Sequence, residues 1–62
     1  GLLNIQTDAS LIEVIDQLGR TIKTFENVSS NSKIDISDLA EGIYIIRLQS
    51  ENTIDEFKVV KE

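Results

Sequence analysis

Residues 39–48 read Leu-Ala-Glu-Gly-Ile-Tyr-Ile-Ile-Arg-Leu, and this stretch decides the fold. Its second half, from Ile43 to Leu48, is rich in β-branched and aromatic residues and has period-two character, which predicts a β-strand. The nearly continuous apolar run favours a central strand that is covered on both faces. We therefore expect the rest of the chain to be arranged around this strand.

The first half of the stretch predicts a tight corner that leads into the strand. Leu39 is placed to pack into the core, Gly42 can adopt a positive φ, and Tyr44 follows two residues later. This spacing is similar to the tyrosine corner of immunoglobulin-type sandwiches, in which the phenol caps a connection between the two sheets. We expect the main contribution of Gly42 and Tyr44 to be to the fold.

Length and composition limit the chain to one small domain with an aliphatic core. A chain of 62 residues buries only about 60% of its unfolded surface, so its stability is marginal. Only one Tyr and two Phe are present, so the core is built chiefly from Ile, Leu and Val, which favour strands.

The same composition excludes most functional classes. Without cysteine or histidine, the chain has no disulfide, no thiolate or imidazole metal ligand and no neutral-pH base. A net charge of −5 argues against nucleic acid or an anionic membrane as partner, and no apolar run approaches the roughly 20 residues that would insert into a bilayer. Asp35, Asp38 and Glu41 lack the spacing of a calcium loop. We therefore predict a chain without catalytic activity, metal or cofactor.

The first hairpin is predicted from Asp16-Gln17-Leu18-Gly19, which joins a strand over residues 11–16 to a strand over residues 21–27. Asp at the start and Gly19 at the end favour a type I turn followed by a left-handed residue. This loop pairs Asp16 with Arg20, Val14 with Ile22 and Glu13 with Lys23, so both charged pairs have opposite signs. Leu11, Ile15 and Phe25 then share the other face.

The last hairpin joins the central strand to a strand over residues 53–61. A two-residue turn at Glu51-Asn52 sets Arg47 against Glu56 and Ile46 against Phe57, whereas a longer turn would set Glu56 against Leu48. The shorter turn also collects apolar side chains on both faces. One face carries Tyr44, Ile46, Phe57 and Val59, and the other carries Ile43, Ile45 and Val60.

Two further strands complete the prediction. Leu3, Ile5 and Thr7 alternate with polar or exposed positions, and Lys33-Ile34-Asp35-Ile36 directs two isoleucines inward before a turn or cap at Ser37-Asp38. Six strands separated by short turns predict a small antiparallel β-sandwich. A seventh strand before Gly1 would complete an immunoglobulin-like topology.

The chemistry of such a chain lies in its surface and edges. An edge strand offers unpaired backbone donors and acceptors that a partner can use, and the final strand, ending Lys58-Val59-Val60-Lys61, is well placed for this. The alternative for this ending is a half-buried strand with solvated lysines.

Four segments in series resemble the type A C-terminal sorting domain of the type IX, or Por, secretion system. They are residues 16–20 (DQLGR), 34–39 (IDISDL), 42–46 (GIYII) and 57–61 (FKVVK). The resemblance covers almost the full chain. Members of the family commonly have a Pro-Asn-Pro segment just before a Gly and an apolar strand. This chain contains no proline, and its residues 1–5 resemble the part that follows that segment.

The resemblance implies a domain at the C-terminus of a longer cargo protein, which crosses the periplasm and reaches the cell surface or the medium. Its implied partners are the fused cargo domain, the outer-membrane type IX translocon and a sortase-like cysteine peptidase that removes the domain. The family's recognition motifs map onto Gly42, Tyr44 and the strand Lys58, Val59, Val60 and Lys61. The runner-up is a fibronectin-III-like or adhesin accessory domain that binds carbohydrate at the cell surface.

Overall fold

The computed structural model describes residues 2–62, so the part of the prediction that involves Gly1 lies outside it. This part of the chain forms six strands in two antiparallel sheets. A four-stranded sheet has the order β3-β2-β5-β6, and β1 and β4 form a two-stranded sheet. The predicted all-β sandwich is confirmed. The strands are β1 (Leu2–Ile5), β2 (Ala9–Ile15), β3 (Thr21–Val28), β4 (Ser32–Asp35), β5 (Gly42–Gln49) and β6 (Ile54–Lys61).

One aliphatic core lies between the two sheets. Ile5 of β1 and Ile34 of β4 contribute from the small sheet, and Leu3 packs at its margin. We call the face of the four-stranded sheet that packs against β1 and β4 its inner face and the opposite one its outer face. The buried residues that the large sheet contributes to the core are Ala9, Ile12, Val14, Tyr44 and Ile46.

Strand β5 is central, as predicted, because it pairs with β2 on one side and β6 on the other. The expectation that both of its faces are covered is wrong. Tyr44 and Ile46 are buried on the inner face, whereas Ile43 on the outer face is 39% exposed. The physical reason is that β1 and β4 cover only one side of the sheet, and no strand of residues 2–62 packs on the other.

The β5–β6 hairpin has the predicted register. Ser50 N–H donates to the Thr53 carbonyl at 3.0 Å, which closes a two-residue turn at Glu51-Asn52. Arg47 lies opposite Glu56, and the pairing continues without a shift from Gly42 and Lys61 to Gln49 and Ile54. The predicted division of apolar residues between the two faces follows from this register.

The β2–β3 hairpin has the predicted loop, but its register is shifted beyond it. Asp16 and Arg20 bracket the loop as expected, and Ile15 pairs with Thr21. A β-bulge then leaves Val14 opposite Lys23 and Glu13 opposite Thr24, so the predicted pairs of Val14 with Ile22 and Glu13 with Lys23 are wrong.

The bulge is explained by partners that lie outside the hairpin. Glu13 accepts a hydrogen bond from Gln49 at 2.7 Å and lies 3.6 Å from Arg47, both on β5. Lys23 instead donates to Asp38, in the loop before β5, at 2.6 Å. The shift also places Phe25 opposite Ile12 on the inner face, where it packs on the core rather than beside Leu11 and Ile15.

Candidate recognition edge

The predicted corner is formed, and it fixes the start of β5. The Tyr44 hydroxyl donates a hydrogen bond of 2.6 Å to the carbonyl oxygen of Ala40, four residues earlier, and its ring is buried in the core. Gly42 has a φ of 156°, which side-chain-bearing residues rarely adopt. Leu39 packs against the core from the same corner. These three residues therefore lie together and hold β5 in place.

The Gly19 loop is also built by local structure. Gly19 has a φ of 83°, and its N–H donates to the Asp16 carbonyl at 3.0 Å. The Asp16 carboxylate accepts from the N–H groups of Leu18 and Arg20, each at 2.9 Å, and from the Arg20 guanidinium at 2.9 Å. The backbone hydrogen bond from Arg20 is the main cause that lowers the pKa of Asp16.

Two of the three carboxylates considered as calcium ligands, Asp35 and Asp38, are held by contacts within the chain. Asp35 accepts a hydrogen bond from the Ser37 N–H at 2.9 Å, and hydrogen bonds from Ser37 lower its pKa. The hydrogen bond from Lys23 lowers the pKa of Asp38. Within residues 2–62, no group of three acidic side chains is arranged to hold a metal ion.

The four residues predicted for recognition at the chain end do not share one surface. In the β5–β6 register, Lys58 and Val60 lie on the outer face, opposite Ile45 and Ile43. Val59 and Lys61 lie on the inner face, where Val59 packs against the core. The structure thus unites Lys58 with Val60, and it separates Lys58 from Lys61. What all four share is the edge strand β6.

The two lysines of β6 differ from the other cations of the sheet. Arg20, Lys23 and Arg47 each form an ion pair with a carboxylate. For Lys58 and Lys61, no such partner is found in the part of the chain that the structure describes. The chain carries a net charge of −5, yet these two cations on one edge strand have no carboxylate partner among the described residues, so they can bind an external anion or carboxylate.

Sequence reasoning missed a polar stripe that crosses the outer face. Arg47 donates to Glu56 at 2.7 Å and lies 3.6 Å from Glu13, which accepts a weaker hydrogen bond from Thr21 at 3.3 Å. The hydrogen bond to Glu56 raises the pKa of Arg47. The part of the stripe formed by Arg47 and Glu56 can be predicted from the register of the β5–β6 hairpin. Glu13 joins the stripe only because β2 pairs with β5, and no local sequence pattern indicates that pairing.

The stripe borders a shallow hollow on the outer face beside β6. This hollow has a volume of about 460 Å³ and is open to solvent. The residues that line it are Ile15, Ile45, Arg47, Glu56, Phe57 and Lys58. It is too exposed to exclude water from a reacting group, and its form suits a contact with another protein surface better than catalysis.

Comparison with known proteins identifies the family. The family model for the secretion system C-terminal sorting domain matches residues 1–62, the whole chain given. The chain belongs to this family of type IX sorting domains. No curated protein and no solved structure gives a significant match.

Membership in this family assigns the domain its general role. It is a C-terminal signal that directs a fused cargo into the type IX secretion system, toward the outer membrane and beyond it. Nothing in the comparison or the fold favours the adhesin or carbohydrate-binding alternative. The structure contributes one further fact, which is that no helix of residues 2–62 is long and apolar enough to span a membrane.

Proposed function

We propose that this sorting domain is a non-catalytic address at the end of a longer cargo protein, and that the outer-membrane type IX translocon reads it at β6. The observation that carries the proposal is that β6 is a regular edge strand whose two lysines have no carboxylate partners among residues 2–62. An edge strand can bind a partner through its backbone, and its side chains then provide specificity.

The proposal assigns different roles to the motif residues. Gly42 and Tyr44 hold the corner, Gly19 and Leu39 support the fold, and the strand over residues 58–61 carries the recognition. Lys58 and Val60 present one face of the strand to a partner, and Lys61 presents the other. A partner that pairs with the edge reaches both faces at once, which is how two lysines on opposite faces can belong to one recognition element.

The experiment fuses residues 1–62 to a periplasmic reporter in a type IX-competent strain. A fusion that lacks residues 43–62 provides the negative control, and Lys58→Ala with Lys61→Ala provides the test. Lys33→Ala is the matched control, because Lys33 lies on β4 and also has no carboxylate partner among the described residues. We expect export to fall several-fold in the double variant and to be unchanged in the Lys33 variant. Unchanged export of a folded double variant would contradict the role of β6.

The proposal also includes the later steps of export, which the resemblance to the family supports. The cargo passes through the periplasm, and a sortase-like cysteine peptidase removes the domain when the cargo reaches the cell surface or is released. The domain is the substrate of that peptidase and contributes no catalytic group. Detecting the domain as a separate fragment after export, and its retention on the cargo when the peptidase cysteine is replaced, would test this step.

A further inference from the structure

The exposed apolar residues of β6 are arranged symmetrically about the middle of the strand, and its charges change sign there. The strand begins with Ile54, Asp55 and Glu56 and ends with Lys58, Val59, Val60 and Lys61, so its first half is acidic and its second half is basic. The strand itself has no net charge, although the chain carries −5. Its exposed apolar residues are Ile54 (64%), Phe57 (43%) and Val60 (57%), and they are evenly spaced about Phe57.

Such a sequence is complementary to itself when it is read in the opposite direction. We propose that the free edge of β6 pairs antiparallel with β6 of a second copy of this chain, about a two-fold axis at Phe57. This register places Phe57 opposite Phe57, Glu56 opposite Lys58, Ile54 opposite Val60 and Asp55 opposite Val59. The two four-stranded sheets then form one continuous eight-stranded sheet.

The side-chain faces agree with this register. Directly opposite residues of paired strands project on the same face, and side chains alternate between the faces along a strand. A two-fold axis perpendicular to the sheet keeps the inner face of one copy level with the inner face of the other. The permitted alternatives to the Phe57 register are therefore reached by sliding one copy in steps of two residues. Sliding one copy by two residues places Lys58 opposite Lys58, and sliding it the other way places Glu56 opposite Glu56. Both alternatives bring like charges together, which destabilises a strand pair. The register about Lys58 also sets Asp55 opposite Lys61, but only the register about Phe57 pairs opposite charges without bringing like charges together.

The proposed pairing also continues the polar stripe of the outer face. Within one copy the stripe runs from Glu13 through Arg47 to Glu56, with alternating sign. Lys58 of the second copy is the next group in line, so each Glu56 lies between two cations. On the inner face, the row Val14, Ile46 and Phe57 meets the same row of the other copy. This covers apolar surface of Phe57 that the small sheet leaves exposed.

Sedimentation equilibrium of the 62-residue chain tests the proposal through a charge exchange. The wild type is expected to show a concentration-dependent monomer–dimer equilibrium. Lys58→Glu alone sets Glu against Glu at both ends of the interface, and Glu56→Lys alone sets Lys against Lys. Each change is expected to weaken the dimer about tenfold or more, since two cross-strand pairs change from attraction to repulsion. An equimolar mixture of the two variants restores both pairs and is expected to dimerise again.

Two controls separate the interface from other effects. Lys33→Glu makes the same change in net charge on β4, away from β6, and is expected to leave the dimer unchanged. Thermal unfolding of the Glu56→Lys variant reports how much of its effect comes from losing the Arg47 ion pair. A wild-type chain that stays monomeric at millimolar concentration overturns the proposal, and so does a mixture that associates no better than the single variants.

A cysteine pair tests the register directly, because the chain contains no cysteine. Phe57→Cys places two cysteines opposite each other, so a disulfide-linked dimer is expected under mild oxidation. Asp55→Cys is the matched control on the same face. In the proposed register, Cys at position 55 of one copy and Cys at position 55 of the other are separated by four residues along the strand, roughly 13 Å, which is too far for a disulfide. Equal cross-linking of the two variants would overturn the register about Phe57.

The outcome is independent of the proposed reading of β6 by the translocon, since sedimentation uses the purified chain alone. If the wild type is monomeric and the Lys58 and Lys61 variants still lose export, the edge serves a strand of the translocon and self-pairing is wrong. If the wild type dimerises and those variants export normally, self-pairing holds and the translocon reads another surface.

Discussion

The four-stranded sheet has two edge strands of equal length, and they are built in opposite ways. Strand β3 contains the bulge beside Val14 and Ile15, and Asn27 near its end has a positive φ of 53°. Strand β6 pairs with β5 in an unbroken register over all eight of its residues. A bulge and a left-handed residue distort an edge so that another strand cannot pair along it, whereas a regular edge remains open to pairing.

The two edges also differ in how their cations are held. Lys23, the central cation of β3, is held by Asp38 of the same chain and lies 5.8 Å from the centroid of the Phe25 ring. Lys58 and Lys61 of β6 have no comparable partner in residues 2–62. The cation of the β3 edge is thus held within the fold, whereas the β6 edge keeps the regular pairing geometry and the cations that our two proposals require.

The largest effect is expected from a substitution in the core of the four-stranded sheet. Ile46 is fully buried and lies between Val14 of β2 and Phe57 of β6. Ile46→Ala is expected to lower the free energy of unfolding by about 2–5 kcal/mol, because it removes core contacts and leaves a cavity. Urea denaturation measures the loss. Ile45→Ala, on the half-buried outer face of the same strand, is the control and should cost less; an equal cost would mean that the outer face is covered.

A smaller effect is expected to loosen the β3 edge alone. Gly19→Ala forces a residue with a Cβ to adopt the φ of 83° that closes the β2–β3 loop. The expected loss is about 1–2 kcal/mol of unfolding free energy, the usual cost of a left-handed conformation for an alanine. No atom within 4 Å obstructs the added Cβ, so the backbone alone causes the loss. Amide hydrogen exchange should become faster in β3 than in β6, and uniform acceleration would contradict this assignment.

The corner at the start of β5 lies at the same end of the sheet as the Gly19 loop, and a change there is expected to have a smaller effect. Tyr44→Phe removes the 2.6 Å hydrogen bond to the Ala40 carbonyl and keeps the ring in the core. We expect a loss of about 1 kcal/mol of unfolding free energy, measured by urea denaturation. Exchange should accelerate in the first residues of β5 and in the end of β6 that pairs with them. A loss as large as that of Ile46→Ala would show that the corner does more than cap a connection.

The same comparison explains which parts of the fold the sequence could predict. The β5–β6 register follows from neighbours in the chain, because the turn at Glu51-Asn52 and the pair of Arg47 with Glu56 agree with each other. The β2–β3 register cannot be predicted from neighbours in this way. Glu13 and Lys23 have opposite charges, but Glu13 bonds to Gln49 of β5 and Lys23 bonds to Asp38 in the loop before β5. Local charge pairing cannot reveal such long-range alternatives, and it therefore gave the wrong pair.

The candidate edge was predicted in part. The sequence predicts a strand at the chain end that is placed for recognition as an edge, with a half-buried strand as the alternative, and it groups Lys58 and Lys61 as one element. A spacing of three residues places Lys58 and Lys61 on opposite faces of any strand, so the sequence already contained that signal. The protection of the other edge could not be predicted, because the side-chain contacts that accompany the bulge join β2 to β5 and β3 to Asp38, which are distant in the sequence.

The smallest expected effect is a difference between the two edge strands in how their stability depends on pH. The folded-state pKa values of Asp16 and Asp38 are lowered, chiefly by hydrogen bonds from the Arg20 backbone and the Lys23 side chain. A depressed pKa stabilises the fold above the unfolded value of about 3.9, and this contribution is lost as the pH falls through the folded pKa. Both carboxylates hold β3, in its loop and at Lys23. Acidification below about pH 4 should therefore accelerate amide exchange in β3 before β6.

Asp16→Asn removes one of these titrations, so the unfolding free energy of the variant should depend less on pH in this range. An equal pH dependence in the variant would show that the Asp16 loop does not stabilise the β3 edge.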